Sequence, residues 1–182
     1  MKGLQLFAAR LLGAVLAMLA LAAVSAEREV RVGLPNHGSL VLKVPDGWRE
    51  EISRRDPAAP PAILVTPESG TDFKMLLMPN WPKEGSKLPD LAAIQEMLAT
   101  GAKAAGPASV EKTLAVQEVR GPVVAGGYFS ATDRAPEKGE YKHVSQGMVR
   151  LGAIVVAFQL MDNGDPKVLE TALKMVRAMR LA

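Results

Sequence analysis

The sequence predicts an α+β fold, an antiparallel β-sheet flanked by helices, and three observations carry that prediction. Short β-like runs punctuated by Pro and Gly come in blocks separated by helical periods, in the order strands, helix, strands, helix. One run, 153–161, is apolar on both faces, with Ile154, Val156, Phe158 and Leu160 on one and Ala153, Val155 and Ala157 on the other. Such a strand belongs in the middle of a sheet that is covered on both sides. The 182-residue chain has no cysteine, so no disulfide can staple it and the core must hold the fold alone. A domain of about 150 residues buries roughly 68–70% of its unfolded surface, which is sufficient.

The first segment is a leader. Lys2 and Arg10 precede an uncharged run of 14 residues, 11–24, that ends in Val24-Ser25-Ala26, the small-residue pattern of a signal-peptidase site before Glu27. A membrane span needs about 20 apolar residues, so a cleavable signal peptide over 1–26 is the first reading. Leu4, Leu6 and Phe7 extend the apolar stretch past Arg10 and leave a retained anchor as the rival. The remainder, 27–182, reads as a single α+β domain. Without Lys2 and Arg10 it holds 20 basic against 19 acidic residues, a formal charge of +1, so the sequence pI of 9.3 overstates its basicity. That balance argues against a nucleic-acid partner, which would call for Lys and Arg concentrated on one face.

The domain opens with a hairpin. Runs 30–34 and 39–44 flank Pro35-Asn36-His37-Gly38, in which Asn36 and Gly38 tolerate a positive φ. Pro45-Asp46-Gly47 then ends the strand and re-aims the chain, and Trp48 follows with about 150–250 Å² of indole to bury. Runs 61–67 and 72–78 around Glu68-Ser69-Gly70 make a second hairpin. In 90–106 the period becomes helical. Leu91, Ile94, Leu98 and Ala102 share a face, Asp90 serves as N-cap, Gly106-Pro107 stops the helix, and Ala102, Ala104 and Ala105 permit close approach to a sheet. Four strands are predicted next, over 110–120, 123–132, 140–150 and 153–161. Asp165 as N-cap and Pro166 at the first helical position open a last helix that runs to Arg180. Its apolar stripe includes Val168, Leu169, Leu173 and Val176, with Lys174, Arg177 and Arg180 outside.

Catalytic chemistry finds little support. The two histidines, His37 in a turn and His143 in a strand, lack the H-x-H or H-x-x-H spacing of a metal site. Ser145 lies within a strand rather than on a nucleophile elbow. Gly126-Gly127 matches no phosphate-binding pattern and reads as close packing within a strand. Asp162, Asn163 and Asp165 lack the alternating ligands of a calcium loop and read as a helix-capping turn. Glu50 and Glu51 point to opposite faces of a strand, so they cannot pair in a glycosidase site. The sequence therefore names no catalytic residue, no metal ligand and no cofactor. An enzyme alternative, a hydrolase assembled from His143, Tyr141, Ser145 and Asp133, requires a pocket where His143 reaches a carboxylate and a hydroxyl. The best binding candidate is the Pro-rich connection 78–90, with Met78, Trp81, Lys83 and Lys87, because an indole on a long loop is a common recognition residue. The competing reading has Trp81 folded back over the sheet edge.

With these elements in order, Leu42, Val44, Pro45, Gly47 and Trp48 match an early phrase of the PsbP-like α/β/α sandwich, and the chain resembles that family over nearly all of 27–182. The stretch 139–163 looks like the family's central hairpin. The fold is shared by extrinsic subunits of photosystem II, a Ran-binding nuclear import factor and DcrB-like bacterial envelope proteins. The resemblance implies a non-enzymatic adaptor, assembly factor or chaperone, and no catalytic set transfers. Related chaperones of secretion effectors cradle hydrophobic helices against the sheet inside the cytoplasm, a pattern from which the leader departs. The expectation is a periplasmic or secreted protein with no transmembrane helix after signal cleavage. It would bind a protein or an apolar ligand in the cell envelope, with a purely structural envelope component as the remaining alternative.

Overall fold

The computed structural model describes residues 26–69, 72–83 and 85–182, so all but Ala26 of the expected leader lies outside the described residues. The first hairpin, β1 (Glu27–Leu34) and β2 (Gly38–Pro45), turns through Asn36 and Gly38, with φ of 61° and 75°. Gly47, at φ 75°, closes the Pro-Asp-Gly turn and starts β3 (Trp48–Ser53). Then come β4 (Ala62–Pro67), β5 (Phe73–Asn80), α1 (Leu91–Ala105), β6 (Gln117–Arg120), β7 (Val124–Thr132), β8 (His143–Leu151), β9 (Ile154–Asp162), α2 (Pro166–Ala178) and β10 (Arg180–Leu181). Among the described residues no helix is long and apolar enough to cross a membrane.

All strand pairs are antiparallel and fall into two sheets. The large one has the order β3-β4-β5-β9-β8-β7-β6, which puts β9, the run apolar on both faces, at its centre. The small one is β1-β2-β10. It packs with α2 on the inner face of the large sheet, where Val32, Leu40, Leu42, Leu173 and Val176 meet Ile63, Met75, Leu77, Val156 and Phe158 in one buried core. Arg28 on β1 ties the sheets together, bonding the Glu50 carboxylate and, at 3.0 Å, the Trp48 carbonyl on β3. The outer face carries α1, whose Ile94, Leu98 and Ala102 pack with Leu114 and Phe129. The fold is α+β, an antiparallel sheet flanked by helices.

Both predicted caps form. Asp90 accepts from the Ala93 N–H at 2.8 Å and Asp165 from the Lys167 N–H at 2.9 Å. Asp162 and Asn163 hold the backbone of Gly164 and Lys142, so the acidic turn is a capping turn, and Glu50 and Glu51 do lie on opposite faces. Gly126 and Gly127 sit where any Cβ would press on the backbone of β8 or on Gln117.

Three expectations need correction. The strand predicted over 110–120 is confined to Gln117–Arg120. Ahead of it only a single bridge remains, Ser109 to Asp133 with the Val110 N–H on the Thr132 carbonyl at 2.8 Å, and the Ser109 hydroxyl, sharing its proton between the carbonyls of Gly106 and Glu111 at 3.0 Å, turns the chain away from further pairing. Leu114 meanwhile drops into the core under α1. The strand predicted over 140–150 begins only at His143, because the Lys142 N–H is held by Asn163 at 2.9 Å. The last helix stops at Ala178 rather than Arg180, since Arg180 and Leu181 pair with β2 and complete the small sheet.

Candidate functional site

The register of the large sheet gathers a set of side chains on its outer face. Leu64, Leu76, Gln159, Gln146 and Phe129 stand in one cross-strand row, and Met78, Ala157, Met148 and Gly127 in the next. α1 packs mainly over β7 and β8, with Val155 of β9 at the edge of its cluster. At about 4.8 Å per strand, the outer face of β9, β5, β4 and β3 leaves about 19 Å without a helix above it. There Leu64, Leu76, Ala157 and Met161 stay half-buried and Met78 is 39% exposed, bordered on the same face by exposed Arg49 and Glu51 of β3 and Lys74 of β5.

Between α1 and this bare area lie two cavities of 320 and 260 Å³ that share Phe129, Gln146 and Gln159, and so form one groove. Its α1 wall is Met97, Leu98, Gly101 and Ala105, and its far side is Met78. Gly101 lets the helix lie close to the Phe129 ring, which a Cβ would meet at 3.3 Å. Only one charged residue, Asp133, lines the groove. Methionines divide sharply. Met75, Met175 and Met179 are in the core, whereas Met78, Met97, Met148 and Met161 are on or beside the groove, with Met97 51% exposed.

A second cluster surrounds His143. The Thr132 hydroxyl donates to Glu111 Oε1 at 2.6 Å, and the Thr132 N–H donates to Glu111 Oε2 at 2.9 Å. With its proton committed there, the hydroxyl accepts from His143 Nδ1 at 3.1 Å, which leaves Nε2 unprotonated in the neutral ring, beside Gly164. The two Thr132 bonds hold the Glu111 carboxyl below its usual range. Burial, and then Asp72 alongside, push the Tyr141 phenol up to about 12. His143 thus reaches a hydroxyl directly and a carboxylate through it, but that hydroxyl is itself bound to the carboxylate. Ser145 is 1% exposed and bonded to Ser130 at 2.7 Å. Asp133 accepts from the Ala135 N–H and lines the groove on the other side of the sheet. Among the described residues no three His, Cys, Asp or Glu side chains are grouped to hold a metal ion.

The four residues read from the 78–90 connection do not converge, because β5 runs to Asn80 and keeps Met78 within the strand. Trp81 is half-buried, stacks on His37 at 4.6 Å and packs against the inner core beside the β1–β2 turn. Met78 points the other way, into the groove. Lys83 and Lys87 are exposed on the stretch leading to α1. Missed from sequence were Met97, Gln146, Met148, Gln159 and Met161. Their strand members occupy the alternate positions of β8 and β9, so the period of two was the available signal.

No protein-family model matches the chain and no curated protein matches its sequence. Among solved structures it is similar to the cyanobacterial PsbP (CyanoP) of Synechocystis, at 11% identity and a TM-score of 0.48, over 90% of this chain and 98% of that one. The likeness concerns the course of the backbone alone.

Proposed function

We propose that this protein is a non-catalytic binding module of the cell envelope, docking an apolar protein segment on the outer face of the large sheet beside α1. The observation that carries this reading is the methionine-lined groove and the bare sheet next to it. Thioethers on flexible chains adapt to irregular apolar partners, and solvent-facing methionines are over-used at such surfaces. The paired carboxamides of Gln146 and Gln159 add donors and acceptors mid-floor that suit a polypeptide better than a hydrocarbon. Breadth argues the same way. Small-molecule sites bury roughly 70–90% of their ligand, which an open face about 19 Å wide cannot do for a single acyl chain. Export rests on the leader, and the envelope setting on that leader and on the resemblance to DcrB-like proteins.

The test is site-specific photocrosslinking in the producing cell, with the crosslinker at Met97 or Gln146 and, as control, at Lys167 on α2. One discrete adduct from the groove positions, absent from Lys167 and lost on Ala157→Glu at unchanged melting temperature, is the expected result. Equal adducts from both faces, or an adduct that survives Ala157→Glu, would overturn the reading.

A further inference from the structure

A cavity of 190 Å³ lies on the opposite side of the molecule, between β2 and α2. Trp48, Pro45, Met175 and Ala178 form its apolar walls. The Trp48 indole is fixed edge-on to Phe73 at 5.4 Å between ring centroids. An apolar cavity of about 150 Å³ holds a benzene molecule, so this one has room for a single ring. Glu27, Lys43 and Lys174 line it as well, and Glu27 bridges to Lys174 at 2.8 Å, from β1 to α2. A neighbouring cavity shares Lys43, Lys174 and Ala178 and continues to Arg177 and Arg180.

The charges around this cleft leave a positive excess. Lys174 is matched by Glu27 and Arg177 by Glu170 at 2.7 Å, whereas Glu29, across from Lys43 on β1, is shared by Arg180 at 2.7 Å and Arg31 at 2.8 Å. Lys43 is in no salt bridge among the described residues. A ring-sized apolar recess with one unmatched ammonium beside it has a definite complement. We infer that the cleft binds a small monoanion with a ring-sized apolar body, an aromatic carboxylate, with the ring against Trp48 and Met175 and the carboxylate on Lys43. Alcohols of the same shape can accept from the ammonium but form no ion pair with it, and amines meet the cations.

Trp48 reports on its own cavity once the only other tryptophan is removed, so the experiment uses purified Trp81→Phe protein at constant ionic strength. Benzoate, benzyl alcohol and benzylamine are the probes. Benzoate is expected to change Trp48 emission saturably in the millimolar range usual for so small a ligand. Benzyl alcohol should bind about tenfold more weakly, for want of a carboxylate charge to pair with Lys43, and benzylamine should give no saturable change. Lys43→Gln should bring benzoate down to the level of the alcohol. Ala178→Phe, which projects a ring into the recess, should remove the response. Where that variant does not fold, the Met175 methyl resonance of the unsubstituted protein does the same work and should shift with benzoate. Equal affinity for benzoate and benzyl alcohol, indifference to Lys43→Gln, a still Met175 methyl, or no saturable response to benzoate would each overturn the assignment.

Discussion

Trp48 shows how turn chemistry in the sequence can place a wall of the core. Its indole is 9% exposed, packed edge-on to Phe73, and its carbonyl is held by Arg28. Emptying a large aromatic site costs about 3–5 kcal/mol. Trp48→Ala is therefore expected to lose that much in urea melts, and a loss below about 1 kcal/mol would show that the indole is not structural. Glu111 is the residue whose environment should be visible in acid. Two bonds from Thr132 depress its folded pKa, so it contributes stability above its unfolded pKa, and that contribution disappears as pH falls through the folded value. Melts of the parent and of Glu111→Gln should differ at neutral pH and converge below the ordinary carboxylate range. Curves that stay parallel into acid would mean that the carboxylate charge has no part in holding the 109–116 segment.

The β8–β9 hairpin and the 109–116 segment mark opposite extremes of legibility at the level of elements. β9 announced itself as a central strand because both of its faces are apolar, and it lies fourth of the seven strands. Across from it Gly147 faces Phe158, and the phenyl ring lies where a Cβ would stand. Over-packing of this kind typically costs about 1–3 kcal/mol. Gly147→Ala should lower stability by that amount in thermal or urea melts, and adding Phe158→Leu should recover part of the loss. Strict additivity of the two changes would exclude the contact. The 109–116 segment carries Val110, Leu114 and Val116 at spacings that mimic a strand. Hydrogen bonds from Ser109 and a single inserted leucine outweigh that pattern, and such bonds leave no period to read.

For the whole molecule, what matters is how the layers cover one another. One face of the large sheet is closed by the small sheet and α2, while α1 closes only one end of the other. α2 presents Lys167, Glu170, Lys174 and Arg177 to solvent, as a surface helix does. α1 has only Glu96 and Lys103 as charged residues in 15 positions, and its flank toward the bare sheet, Met97 and Gly101, carries no charge. That helix flank is continuous with an apolar strip of the sheet, Leu64, Leu76, Met78 and Ala157, rimmed by Arg49, Glu51 and Lys74, and an apolar patch with a polar rim is what a docking face requires.

Period, caps and turn chemistry were enough to determine the α+β class, both helices and most of the strands, because those signals act between residues close in the chain. Trp48 as a buried element of the fold was legible for the same reason. Only the tertiary structure decided that Trp81 turns inward onto His37 while Met78 turns outward, and that Gln146 and Gln159 stand side by side. Twelve residues of sequence separate the two glutamines, and the antiparallel register of β8 and β9 makes them neighbours. The groove likewise exists because α1 covers mainly two strands of a seven-stranded sheet, a matter of packing between distant segments that no local pattern encodes.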